Sequence, residues 1–96
     1  MQKKLNCKNK SPLSKWYYLC LYSFDHEHLV RGPFESEKKC WQAMRKEAKE
    51  EFRIDLEENE YQCNLVEDSQ SSEITLTDFF NNHTIETKWV LFEIKE

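Results

Sequence analysis

The chain has 96 residues, of which 33% are charged and 14% aromatic, enough for one domain with a single core and too aromatic for a disordered segment. One glycine and two prolines leave little room for a phosphate-cradling loop, and no apolar run reaches the ~18 residues of a membrane span. The net charge of −4 hides an imbalance: residues 1–15 hold five lysines and no acid, so the remainder sets nine Lys/Arg against all 18 Asp/Glu. An acidic body of this kind is poorly suited to general nucleic-acid binding, because phosphate contacts need a basic face.

Residues 1–15 read as a basic arm, with Lys3, Lys4, Lys8, Lys10 and Lys15 spread along it. The arm has no apolar h-region, which makes it no secretory signal and points to the cytosol. Residues 16–24, WYYLCLYSF, form the strongest strand. Trp16, Tyr18, Cys20, Tyr22 and Phe24 alternate with Tyr17, Leu19 and Leu21, so both faces are apolar, the mark of a central strand covered on both sides. Residues 25–28 (DHEH) make a polar turn, and residues 29–34 return as the second arm of a hairpin.

Gly32-Pro33 ends that strand and opens the one segment with sustained helical period, residues 36–54. Ser36 is placed to cap it and Glu37 suits the positive end of its dipole. On a helical wheel Met44, Ala48 and Phe52 fall within about 60° of Trp41, a narrow apolar stripe for lying on a sheet. The flanks carry two tracks of like charge at i,i+4: Arg45, Lys49 and Arg53 down one side, Glu47, Glu51 and Asp55 down the other. Like charges at that spacing cost a helix about 0.2–0.5 kcal/mol each. Pairs such as Lys46–Glu50 and Glu50–Arg53 offset part of this; a charged surface that meets a partner is the functional reading.

Residues 55–60 lack a glycine stop and read as an acidic loop. Residues 61–67 alternate as a strand with Tyr61, Cys63 and Leu65 on one face, residues 68–72 turn, and residues 73–77 return. Phe79-Phe80 suggests a short helical turn, opened by Thr77 or Asp78, that caps the core. Residues 88–94, KWVLFEI, close the chain as a second strongly apolar strand. The order predicts an α+β domain over residues 16–96, a mostly antiparallel sheet of four to five strands with one major helix on one face. A single helix covers one face only, so the second, aromatic face needs another cover: the arm, the Phe79-Phe80 segment, a second copy or a partner protein.

Reactive chemistry finds little support. The cysteines at 7, 20, 40 and 63 contain no CxxC and read as reduced thiols, with Cys20 and Cys40 as small buried hydrophobes. His26 and His28 beside Asp25 and Glu27 lack an evident third metal ligand unless His83 approaches. No small-residue loop offers an oxyanion site for a cysteine–histidine pair. Asn82-His83-Thr84 matches a glycosylation acceptor, which matters only in a secreted chain. The expectation is a non-enzymatic protein with no metal and no cofactor.

The opening WYYLCLYSFD, the turn GPFES and the helix CWQAMRKEAKEEF resemble small proteins of bacterial phages and mobile elements, among them inhibitors of host defence such as anti-CRISPR proteins. The similarity spans roughly residues 16–54 and lies in general character, that of a small acidic α+β body rich in aromatics. It implies a protein-binding inhibitor of host machinery. The charge pattern of the helix, independently of that resemblance, supplies the contact: Glu47, Glu50, Glu51, Asp55, Glu57 and Glu58 meet a basic, nucleic-acid-binding groove of a target, with carboxylates in phosphate positions. Two alternatives remain: a nucleic-acid-binding accessory protein using Lys3, Lys4, Lys8, Lys10, Arg45, Lys49 and Arg53, or a homodimer formed through the second sheet face.

Overall fold

The computed structural model describes residues 14–22, 28–58, 62–80 and 82–95. They form an α+β domain, one helix on a five-stranded antiparallel sheet. In chain order the elements are β1 (Ser14–Tyr22), β2 (His28–Phe34), α1 (Glu37–Glu58), β3 (Gln62–Asp68), β4 (Glu73–Phe80) and β5 (His83–Lys95). The strands lie in the order β2-β1-β5-β4-β3, so the first and last strands pair near the middle. Their register runs unbroken from Ser14↔Lys95 to Tyr22↔Thr87. Helix α1 joins one edge strand to the other. Its 22 residues, about 33 Å, exceed the roughly 19 Å between the outermost of five strands, so it crosses the sheet in one pass.

The helix begins as its sequence dictates. Ser36 Oγ accepts from the Lys39 amide at 3.1 Å, and Cys40 N donates to Ser36 O at 3.0 Å. Its end differs from the expected acidic loop: α1 continues through Glu58. Strong helix formers fill this last turn, and Arg53 pairs with Glu50 at 2.6 Å and with Glu57 at 2.5 Å, stitching it on. The Phe79-Phe80 helical turn is also not formed. Those residues extend β4 and pair with Thr84 and His83 of β5, because the long final strand supplies a ladder that a local reading cannot see. Strand β1 begins at Ser14, inside the segment read as arm; residues 1–13, the Asp25–Glu27 part of the first turn and Tyr61 lie outside the described residues.

The β3–β4 turn is built by its own side chain. Asp68 Oδ1 accepts from the amides of Gln70 (3.1 Å) and Ser71 (3.2 Å), and Ser72 takes φ +59° to bring the chain back. The chain's one glycine has a harder duty. Gly32, at φ +132° before a cis bond to Pro33, lies so close to β1 that a Cβ would sit 2.7 Å from the Tyr17 ring.

The core lies between α1 and one sheet face. Cys40, Met44 and Ala48 from the helix meet Tyr18, Cys20, Ile74, Leu76, Trp89 and Leu91, with Trp89 fully buried. Trp16, Tyr22, Phe34, Trp41 and Phe52 close its margins. Burial raises the thiol pKa of both Cys20 and Cys40 to about 11; at Cys20 a hydrogen bond with Tyr22 works against that rise.

Candidate functional site

The structure turns the helix relative to the stripe centred on Trp41. The fully buried positions are Cys40, Met44 and Ala48, about 60° around the wheel from Trp41, on the side of the acidic track. That rotation carries Glu47, Glu51 and Asp55 towards the sheet, where all three are half-buried, while Arg45, Lys49 and Arg53 face outward. The track that breaks the rule on like charges is thus seated against the core margin.

Glu47 is the best-held of these acids. Its Oε1 accepts from the Tyr18 hydroxyl at 2.7 Å and from Arg31 Nε at 3.3 Å, and its Oε2 accepts from Trp89 Nε1 at 2.9 Å. One carboxylate therefore ties α1 to β1, β2 and β5 and satisfies the polar tips of two core aromatics. Burial, then the bond to Glu47, push the Tyr18 hydroxyl well above its ordinary pKa. Glu51, one turn on, is half-buried among other acids, and Asp55 hydrogen-bonds with Asp78 of β4. Burial raises Glu51, as do the charges of Asp55, Glu47, Glu50 and Glu58. On β4, Asp78 is raised to about 7 by burial, by its hydrogen bond with Asp55 and by the charges of Asp55 and Glu51.

The other expected residues lie apart. Glu50 and Glu57 are engaged by Arg53, and Glu58 is exposed at the helix end. Of the basic track, Arg45 is held by Glu67 of β3 at 2.6 Å and Arg53 by its two glutamates. Lys49 is exposed with no ion pair among the described residues. Lys3, Lys4, Lys8, Lys10 and His26 lie outside the described residues, and His28 sits exposed at the start of edge strand β2. Among the described residues no group of His, Cys, Asp and Glu is placed to hold a metal ion, and no helix is long and apolar enough to cross a membrane.

Among the described residues no element covers the sheet's second face. Directly paired residues share a face, so the register lays it out. Strand β1 contributes Lys15, Tyr17, Leu19 and Leu21; β5 sets Ile94, Phe92, Val90 and Lys88 opposite them. Val30 of β2 lies beside Leu19. The β4–β3 half is different: Thr75, Thr77, Asn64 and Gln62 dominate, with Val66 and Phe79 among them and Lys88 bridging to Glu73 at 3.6 Å. On the apolar half Tyr17 and Phe92 stack with ring centroids 5.6 Å apart. Tyr17, Leu19, Leu21, Val90 and Phe92 are half-buried by one another; Val30 is 57% and Ile94 45% exposed. Among the described residues nothing is laid across this face, since α1 packs on the other.

The two-faced strand pattern implies these residues without marking them as a site. The signal was present: Tyr17, Leu19 and Leu21 alternate against a helix that serves only the opposite set. The Glu47 clamp had a weaker signal, a glutamate directly preceding the buried Ala48. No protein-family model, no curated protein and no solved structure matches the chain.

Proposed function

We propose that this chain is a non-enzymatic protein-binding protein whose contact surface is the open sheet face. The observation that carries the reading is the contiguous apolar patch of Tyr17, Leu19, Leu21, Val30, Val90, Phe92 and Ile94 on three neighbouring strands. Scattered exposed apolar residues are ordinary, whereas a continuous patch rimmed by polar groups is what protein partners cover. Its aromatic pair at the centre and polar β4–β3 flank match the make-up of such interfaces, an apolar middle within a wetter rim.

The resemblance to phage and mobile-element inhibitors gives this reading a finer form: the partner belongs to the nucleic-acid-handling machinery of a bacterial host. In that form Glu50, Glu57 and Glu58 are the acids directed outward, with Glu47, Glu51 and Asp55 turned inward and supporting contact less. The test is capture from bacterial cytosol with the full chain, Val90→Glu, and a Glu50→Lys/Glu57→Lys/Glu58→Lys variant as parallel baits. The open-face reading expects a stoichiometric protein that Val90→Glu loses and the triple variant keeps. Retention by Val90→Glu with loss by the triple variant moves the contact to the helix end and overturns it.

A further inference from the structure

We infer that strand β3 is a docking edge for an extended segment of a partner protein, which joins the sheet as an antiparallel strand with basic residues opposite Asp68 and Glu67 and apolar residues opposite Leu65 and Cys63. This edge is separate from the open face, so each stands or falls alone.

The ladder shows which backbone groups point outward. Leu91 N donates to Ser72 O at 3.0 Å, and in an antiparallel ladder such hydrogen-bonded pairs recur at every second residue. Along β4, Ile74, Leu76 and Asp78 therefore turn their backbone groups to β5, while Thr75, Thr77 and Phe79 turn theirs to β3. Val66, Asn64 and Gln62 answer them. Cys63, Leu65 and Glu67 are left with N–H and C=O directed away from the sheet, and among the described residues no strand lies beyond them.

The opposite edge is not equivalent. The same alternation, carried through β5 and β1, turns His28 and Val30 of β2 outward. That row is cut short, because the β1–β2 register shifts between Trp16 and Tyr18 and Pro33 has no N–H to donate. Interruptions of this kind close an edge to further pairing. Strand β3 has none: its seven residues pair with β4 in unbroken register and include no proline, glycine or lysine.

Side chains give the chemistry of the occupant. Cys63, Leu65 and Glu67 share the helix face, where Cys63 and Leu65 are half-buried at the margin of the core. Arg45 reaches Glu67 at 2.6 Å, which sets its stripe of α1 over β3, and Phe52 and Leu56 follow it at i+7 and i+11. Phe52 is half-buried and Leu56 is 52% exposed. A strand beside β3 places alternate side chains against Leu65, Cys63 and this ledge, and so continues the core outward. Charge sets the order of its residues. The acids of β3, Glu67 and Asp68, lie at its C-terminal end, so an antiparallel segment carries its basic residues first. Glu67 accepts from Arg45 through Oε1, and a carboxylate takes further donors. Size favours a peptide segment over a folded domain, since a strand of this length, about 24 Å, covers far less than the ~800 Å² that each partner of a standard interface buries.

The experiment is fluorescence anisotropy of the labelled peptide Lys-Lys-Thr-Val-Thr-Val-Thr against the full chain. Its lysines face Asp68 and Glu67, and its valines face Leu65 and Cys63. Binding is expected at roughly 10–100 μM, in keeping with a short added strand. N-methylation of the first valine, whose N–H is aimed at Leu65, abolishes binding, whereas N-methylation of the threonine between the valines changes it less than about 3-fold. Glutamates in place of the two lysines weaken it at least about 10-fold. On the protein, Glu67→Pro removes an outward donor and no bond to β4; it weakens binding at least about 10-fold with the circular dichroism unchanged. Val90→Glu, on the open face, leaves the affinity as it is. Absence of binding at about 1 mM overturns the inference, as does equal loss from both N-methyl peptides or dependence on Val90. A dimer in sedimentation equilibrium that Glu67→Pro dissociates gives the edge to a second copy and overturns it too.

Discussion

The same strands build two unlike surfaces, and the contrast between them explains most of the molecule. On β1, Tyr18 and Cys20 are buried beneath α1, while Tyr17 and Leu19, one residue away on each, lie half-exposed on the other side. On β5, buried Trp89 and Leu91 alternate with half-exposed Val90 and Phe92. The residue types scarcely differ. What differs is that the helix face also solves its polar problem: Glu47 accepts from Tyr18, Trp89 and Arg31, so the aromatics that need a partner have one. Among the described residues the open face has apolar area and no comparable clamp on its aromatic tips. Apolar area alone therefore does not distinguish a core from a docking surface; finished packing and satisfied polar groups do.

The contrast breaks first at neighbouring residues of β5. Trp89→Ala should cost about 3–5 kcal/mol, by lost burial and the cavity left beneath α1. Val90→Ala, next in the chain, should cost about 1 kcal/mol or less in dilute solution. Urea unfolding followed by circular dichroism reads both. If Val90→Ala approaches Trp89→Ala at sub-micromolar protein, the second face is not open.

A second cut compares two glutamates on one helix. Glu47→Ala strands the Tyr18 hydroxyl and the Trp89 N–H at the core margin and should cost about 2–3 kcal/mol. Glu50→Ala removes only an exposed, solvent-screened partner of Arg53 and should leave the thermal midpoint almost unchanged. Equal effects in thermal unfolding would show that the carboxylate clamp is not what fastens α1.

The crowded acids at the core margin give the helix face a pH dependence of definite sign. Asp78 has an ordinary value of 3.8 and is raised to about 7 in the fold. A native state that binds the proton more tightly than the unfolded chain loses stability as pH rises through that interval. The contribution is fully present below about pH 4 and gone above about pH 7, and Glu51, raised as well, acts in the same direction. Glu35, Glu50 and Asp68 are lowered by hydrogen bonds and act oppositely, losing stability as pH falls. Asp78→Asn should match the native sequence near pH 4 and exceed it at pH 8, with the urea midpoint as readout. Equal midpoints at pH 8 would remove Asp55–Asp78 repulsion as a term in stability.

Sequence patterns reveal one of these faces more fully than the other for a physical reason. Alternation in residues 16–22 displays both faces, and Ser36 displays the helix start, because both are local signals. The orientation of the helix is not local. Trp41 is the bulkiest residue of its stripe, yet Cys40, Met44 and Ala48 are buried and Trp41 sits at the margin, since small residues let a helix approach a sheet. Centring the wheel on Trp41 leaves Glu51 and Asp55 on a flank; centring it on Met44 and Ala48 turns them inward. The Phe79-Phe80 strand end was hidden likewise, since its partners His83 and Thr84 carry no strand signal of their own. The open face shows in sequence as a surplus of apolar residues over what one helix covers, and a surplus does not say what fills it.

The smallest expected effect lies at the outer surface of α1, where the basic track meets solvent. Arg53 bridges Glu50 and Glu57 at 2.6 and 2.5 Å, geometry that invites a large attribution. All three side chains are more than half exposed, so water and salt screen the pairs and the arginine gives up rotamer freedom to make them. Arg53→Ala should therefore lower the thermal midpoint only slightly. The loss should fall towards zero in 1 M salt, where the screening length is about 3 Å. A cost that survives high salt would mean that the arginine stem packs on the final helical turn, and that this end of α1, like Glu47 at its middle, is fastened by contact rather than by charge.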